Sequence, residues 1–412
     1  MRQPNSALYL TIFCVVTLIG LTAVTAINLT VDPYLAYRVV DLPELTPYRA
    51  ELGSRTAKAE ALRHGPANGE DWDGAIFGLS RSEFSIDPEH PAFGAAAVYN
   101  ASLLGCDWYE LESAFNLAAD ANDLDFVVIF AEFYMFNANE RGHGDFEKSR
   151  FNPSRLIPVY HIENLTSLNA LSASVDTVLR FRSKRPSEYT ERGYRPRELA
   201  IQRWNHRARF EHELSRFLKR GSTYRTYLYS PERVERLAAM LERCRARGIR
   251  AIVIMSPTHT THLEAIRATG LWETYETWKR DLVRVVEADA ASNPDESAVP
   301  LWDFAGYTSY RAEEIADGDD PSSMVWWWEN SHYRRSIGDR ILDTVFGFES
   351  ERPTLPEFGV QLDSESIEAH LERTRADRAS YLVEHADQAA WVSELSERLL
   401  RVTRTVGRLK EW

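Results

Sequence analysis

Apolar residues follow two different periods along this chain. Short, mainly apolar runs recur at 74–77, 96–99, 126–130, 249–255 and 299–304. Runs of that length, bounded by glycine or polar residues, suit strands buried on both faces of a parallel sheet. Between them the period becomes helical. Trp108, Leu111, Phe115 and Ala118 share one face of a helix over 108–118. Val234, Leu237, Ala238 and Leu241 form the buried stripe of a second helix, with Ser230 at its N-cap, Pro231 in its first turn and Gly248 ending it. Further helices are predicted over 55–64, 271–291 and 336–346. Strands alternating with helices predict an α/β fold, a three-layer α/β/α arrangement around a mostly parallel, doubly wound sheet.

The alternation is interrupted in four places. Residues 7–27 contain no charge, and at about 1.5 Å per residue such a helix spans roughly the 30 Å of a bilayer core. Arg2 precedes this run and Asp32 follows it, so the positive-inside rule leaves the N-terminus in the cytoplasm and exports everything after Asn28. The expected location is the inner (cytoplasmic) membrane, single-pass, with the C-terminal domain in the periplasm or outside the cell. A signal peptide cleaved after Val24-Thr25-Ala26 is the alternative, with the same export. The chain thus divides into a stub and anchor (1–30), a polar connector (31–73), a first α/β half (74–139), a helical insertion (140–229), a second α/β half (230–350) and a charged helical tail (351–412). The insertion is too long for a simple connection and reads as a cap over a site or as a packing module. The tail either folds back or meets a partner.

Composition narrows the class. The 412 residues are 44% hydrophobic and 26% charged, enough for one large domain with insertions or for two. A net charge of −13 without a long basic block argues against nucleic acid. Cys14 lies in the apolar run, leaving Cys106 and Cys244 as buried thiols or one pair; no disulfide framework or zinc spacing is present. No cofactor motif is read. His259 and His262 stand three apart with Glu264 nearby, yet no third metal ligand is placed, so no metal is assigned and His259 is read as a substrate contact.

The candidate chemistry centres on Ser80. It follows Gly78 just past the run at 74–77, at the carboxyl end of a strand, where open α/β sheets bind ligands. A serine hydroxyl is a poor nucleophile unless a base removes its proton as it attacks. His332 is that base, and Glu329, three residues earlier, fixes its tautomer if a tight turn or helical turn brings them together. Arg81 either pairs with a substrate anion or forms a salt bridge. Trp326, Trp327 and Trp328 either stack on sugar rings, Trp328 foremost, or pack the rim.

These features, in this order, resemble the SGNH/GDSL hydrolase superfamily, whose flavodoxin-like domain carries a Gly-x-Ser turn in its first block and an Asp-x-x-His in its last. Gly78-Leu79-Ser80-Arg81 resembles the form found in exported members that handle cell-wall or exopolysaccharide acyl groups. Tyr99 to Gly105 resembles the second block, and Trp302-Asp303-Phe304 with Trp328 to Tyr333 resembles the approach to the last. The likeness covers about 75–137 and 249–346. Two departures stand out. Glu329 replaces the family's aspartate, and the third block, normally Gly-x-Asn-Asp, reads Ala131-Glu132-Phe133-Tyr134. Loss of one oxyanion donor costs on the order of a hundred- to a thousandfold in rate. Asn100 and Asn137 are the candidates to replace it.

The resemblance implies a serine esterase or O-acyltransferase acting on acyl, chiefly acetyl, esters of a polysaccharide or envelope glycoconjugate. Ser80 would attack, His332 would take the proton, Glu329 would orient it, and the backbone N–H groups of Ser80 and Gly105 would hold the oxyanion. A membrane-bound acyltransferase is the partner that relatives imply. The altered third block leaves a second reading open, a non-catalytic glycan-binding or scaffold protein of a polysaccharide-modification complex.

Overall fold

The computed structural model describes residues 6–66, 69–197 and 205–408. Helix α1 (Ser6–Val31) is followed by α2 (Arg55–His64), β1 (Gly74–Phe77), α3 (Ser80–Ser85), β2 (Val98–Asn100), α4 (Trp108–Ala121) and β3 (Phe126–Phe130). The insertion holds α5 (Ile157–Thr166), α6 (Leu168–Ser183) and α7 (His206–Leu218). Then come α8 (Pro231–Arg247), β4 (Arg250–Met255), α9 (Thr260–Ala268), α10 (Trp272–Ser292), β5 (Leu301–Asp303), α11 (Arg335–Phe346), β6 (Val360–Gln361), α12 (Ile367–Glu384) and α13 (Ala386–Arg408).

The strands form one sheet in the order β2-β1-β3-β4-β5-β6, parallel except for β6 at the edge. Because side chains alternate along a strand, each face builds its own core. Phe77, Val127, Ile129 and Val253 join Leu62, Phe115, Leu237 and Leu282 on one face. Ile76, Val128, Ile252 and Ile254 join Ile337 and Ile341 of α11 on the other. Both faces being covered explains why these strands read as continuous apolar runs. The order 2-1-3-4-5 puts the reversal of strand order between β1 and β3, and the carboxyl ends of those parallel strands border a natural crevice.

Several boundaries differ from the sequence reading. Strand β2 begins at Val98, not at residue 96, and includes Asn100. Ser230 sits at the N-cap of α8, but its side chain makes no capping bond, and Pro231 alone marks the start. The polar connector is built into the domain: α2 is buried almost throughout because Lys58 and Glu60 find buried partners. Cys106 and Cys244 are unpaired and buried. The tail folds back, with Ile367, Leu371, Tyr381, Val392 and Leu395 buried. Arg375 and Arg378 clamp Glu276 and Glu264 in two-pronged pairs. Helix α1 runs four residues beyond the predicted span to Val31, and residues 7–31, with a mean hydropathy of 2.4, are long and apolar enough to cross a membrane.

Candidate active site

The turn Gly78-Leu79 carries the chain from β1 into α3 and puts Ser80 at the helix start. The turn needs glycine at 78: a Cβ there would overlap Ser82 Oγ and stand 2.8 Å from Phe130 Cβ. Underneath, Lys58 Nζ donates to Glu83 Oε1 at 2.8 Å, and both side chains are shielded from water. Glu83 lies three residues after Ser80, so this ion pair fastens α3 to α2. Asn100 completes the mount. Its Nδ2 donates to the carbonyls of Ser82 at 3.0 Å and Ile86 at 2.8 Å.

The other half is a hairpin. Trp327 and Tyr333 pair in an antiparallel bridge, and Trp328 N–H donates to His332 O at 2.9 Å. Glu329 to Ser331 therefore form a tight turn that folds Glu329 against His332. His332 Nδ1–H donates to Glu329 Oε1 in a very short bond, while Glu329 Oε2 accepts Ser331 N–H at 2.7 Å. With its proton on Nδ1, His332 has Nε2 free as an acceptor, and Ser80 Oγ lies 2.7 Å from it. Residues 252 apart in sequence thus meet as a Ser–His–Glu relay. One indole and one acid brace the hairpin. Trp327 Nε1 donates to Tyr310 O at 2.7 Å, and the Glu313 carboxylate receives the N–H groups of Trp326 and Trp327 at 3.1 Å.

Electrostatics suit the relay. Burial disfavours a charged Glu329, but His332 beside it and Arg197 outweigh this and hold its carboxyl well below the usual range. Burial pushes His332 down, against the pull of Glu329 toward the charged form; Arg197 adds to the downward push. A neutral imidazole is what a general base needs.

Beside Ser80 opens a cavity of about 400 Å³. Leu79, Arg81, Gly105, Glu132 and Ser331 line it, together with the apolar and aromatic side chains of Phe133, Phe217, Tyr224, Ile266 and Trp278. Gly105 has φ +62, a conformation that favours glycine, and space around its Cα is open.

The remaining sequence-predicted residues separate clearly. Ser80, Gly105, Arg81, Glu329 and His332 converge, whereas Asn100, Asn137, His259 and Trp328 take no part in the cavity wall among the described residues. Both amide hydrogens of Asn100 are committed to α3. Asn137 is buried in a bridge to Tyr229, its Oδ1 accepting Leu228 N–H at 2.9 Å and its Nδ2 directed at Thr223 O at 3.4 Å. His259 is the N-cap of α9: Nδ1 accepts Thr261 N–H at 3.2 Å, Nε2–H donates to Glu313 O at 2.9 Å, and burial pushes its pKa down to about 4. Trp328 is buried, with the Arg334 guanidinium 3.9 Å from its ring centroid. Arg81 takes the salt-bridge reading, its Nη1 donating to Glu132 Oε2 at 2.6 Å. Phe133, which stands where the Gly-x-Asn-Asp pattern has its asparagine, lines the cavity and offers no side-chain donor.

Three participants escaped the sequence reading. His262, not His259, faces the cavity, accepting from Asn330 Nδ2 at 3.2 Å and donating to Tyr224 Oη at 2.6 Å. Arg197, from the insertion, reaches Glu329 Oε1 at 3.4 Å. Glu213, Arg216 and Phe217 of α7 line the cavity, so one part of the insertion overhangs the site. The even three-residue spacing of the two histidines offered no way to separate the capping residue from the lining one. No protein-family model and no curated protein matches this sequence.

Proposed function

We propose that this chain is a serine esterase or O-acyltransferase of the three-layer SGNH type, anchored in a membrane by α1 and working on acyl esters, chiefly acetyl, of a polysaccharide or envelope glycoconjugate. The observation that carries the reading is the 2.7 Å contact of Ser80 Oγ with His332 Nε2, with Glu329 on the far ring nitrogen. An accidental serine–histidine contact would not need the third group on the correct side of the ring.

In this mechanism Ser80 Oγ attacks the acyl carbonyl carbon as its proton passes to His332 Nε2. The carbonyl electron pair moves onto oxygen, where the backbone N–H groups of Ser80 and Gly105 receive it. As the pair returns, the ester C–O bond breaks and His332 protonates the departing sugar oxygen. Water or a second sugar hydroxyl, deprotonated by His332, then takes the acyl group from Ser80. Arg81, paired with Glu132, forms part of the cavity wall beside Ser80. The last turn of α1 packs into the folded domain, which favours a retained anchor over a cleaved leader. The domain then stands outside the cytoplasm, where a membrane-bound acyltransferase is the expected partner.

A second reading rests on Phe133, which stands in place of the usual oxyanion asparagine and leaves a glycan-binding protein without catalysis. One experiment separates them. The full chain in detergent, treated with a fluorophosphonate probe, becomes labelled in the wild type and not in Ser80→Ala if the nucleophile is activated. No labelling of a folded wild type rejects the catalytic reading, and labelling that survives Ser80→Ala rejects Ser80.

A further inference from the structure

Near the membrane helix lies an apolar surface that the chemistry above does not use. Helix α1 contacts both α5 and α6. Its one buried polar side chain at that junction, Asn28, donates Nδ2–H to Leu165 O at 2.9 Å and accepts Ser174 Oγ–H at Oδ1, also at 2.9 Å. Immediately below, the Asp32 carboxylate accepts the N–H groups of Ala36, Tyr37 and Arg38 at 2.8, 2.9 and 2.8 Å. The buried Arg49 guanidinium grips the carbonyls of Val31 and Asp32. So α1 does not hang from a flexible linker. Its end is bonded into the α5–α6 hairpin.

That hairpin is apolar on its outside. Leu156, Ile162 and Leu168 are 68%, 60% and 75% exposed, and Ile157, Val175 and Leu179 are exposed with them. Large apolar side chains scattered singly over a surface call for no explanation, but a group on one hairpin marks a contact. The occupant follows from what the hairpin is bonded to. The exposed residues of α1, among them Leu18, Ile19 and Leu21, are of the same kind, and an 18-residue apolar window of the helix is not buried by protein. A helix of 25 residues at about 1.5 Å each is longer than a bilayer core of roughly 30 Å. Its final turns, where the hairpin docks, therefore fall at the boundary of lipid and headgroup.

We propose that the α5–α6 hairpin lies in the interfacial layer of the same bilayer that α1 crosses, with Leu156, Ile162 and Leu168 in contact with lipid. This rests on the reading of α1 as a retained anchor. Interfacial helices of this kind bury their apolar face about 5–10 Å into the headgroup–acyl boundary. The hairpin gives the domain a second, rigid foothold, so that its catalytic face keeps one fixed attitude to the membrane.

Nitroxide depth measurements on the full chain test this. In a Cys14→Ser background, with the remaining thiols buried, single substitutions Ile162→Cys, Leu168→Cys, Ile19→Cys and Val383→Cys are spin-labelled. The protein is reconstituted into phosphatidylcholine–phosphatidylglycerol bilayers. Collision with oxygen is compared with collision with a water-soluble nickel chelate. At 162 and 168 oxygen should prevail by several-fold, as at 19, while the nickel chelate prevails at 383. Nickel prevailing at 162 and 168 with oxygen at 19 overturns the hairpin proposal and leaves the anchor standing. Nickel prevailing at 19 too overturns the anchor reading and this proposal together. Low access to both reagents at 162 and 168 also overturns it, because a second protein surface, not lipid, would then cover the hairpin.

Discussion

Ser85 Oγ donates to the backbone carbonyl of Tyr333 at 2.6 Å. This one bond joins the end of α3, which begins with Ser80, to the residue following His332. Next to it Gly338 of α11 lies so close that a Cβ there would overlap the Ser85 carbonyl. Ser80 and His332 therefore share a support, and their 2.7 Å contact is held by packing behind them.

Ser85→Ala should weaken that support without touching the reacting atoms. The buried Tyr333 carbonyl loses its donor, a loss of about 1–3 kcal/mol. Thermal unfolding should move down by several degrees. Fluorophosphonate labelling of Ser80 should slow by about tenfold or more, as expected when a reacting group is misplaced by a fraction of an ångström. Unchanged labelling in a destabilised variant would mean that the serine–histidine distance does not depend on this bond.

Lys58 and Glu83 offer a sharper stability test. Both are fully shielded, and burial lowers the Lys58 pKa against the pull of Glu83. Lys58→Met leaves the Glu83 carboxylate buried and uncompensated and should cost about 3–5 kcal/mol in urea unfolding. The double variant Lys58→Met with Glu83→Leu should recover most of that loss. A double variant no better than the single one would show that the pair's value lies in orienting α3 and not in neutralising charge.

Much of this architecture was legible in the sequence. The runs that became β1 and β3 are buried on both faces, so their apolar character is unbroken, and helix α2 matches its predicted bounds. Ser80, Glu329 and His332 stood out because each follows a strand or lies in a short, chemically unusual turn. What was not legible depends on partners distant in the chain. Strand β6 has two residues and exists only because β5 offers an edge. Asn100 looked like a free amide because the carbonyls it binds, those of Ser82 and Ile86, lie within and just after a helix of six residues with no periodic signal. Arg197 is one arginine among many in an insertion without apolar rhythm, and only the fold brings it to Glu329.

The acid limb of the pH profile follows from His332. Its pKa is held below the ordinary 6.5, chiefly by burial. The base works only when neutral, so labelling should persist below pH 6.5 and disappear as pH falls through the lowered value. Stability has the same sign. The unfolded chain binds protons at His332 and Glu329 more readily than the folded one, so both groups contribute stability above their unfolded values that is lost as pH falls. Glu329→Gln removes the group that favours imidazolium and fixes the tautomer. It should move the acid limb further down and cut the rate by up to about ten thousandfold.

Arg197 should move that limb the other way. Its guanidinium lies 3.4 Å from Glu329 Oε1 and 5.1 Å from the centre of the Phe84 ring, which in turn packs 5.2 Å from the His332 ring. A positive charge there stabilises the Glu329 carboxylate and at the same time opposes a proton on His332. Arg197→Met keeps the contact with Phe84 and removes the charge. The His332 pKa should rise, so labelling should fail at a higher pH than in the wild type, while the plateau rate at pH 8 changes by less than about tenfold. Because a purely structural loss would lower the plateau and leave the midpoint in place, the two effects are distinguishable in one profile. An unmoved midpoint would mean that Arg197 acts on Glu329 only through packing, and that the insertion contributes a wall to the site but no electrostatic control of its base.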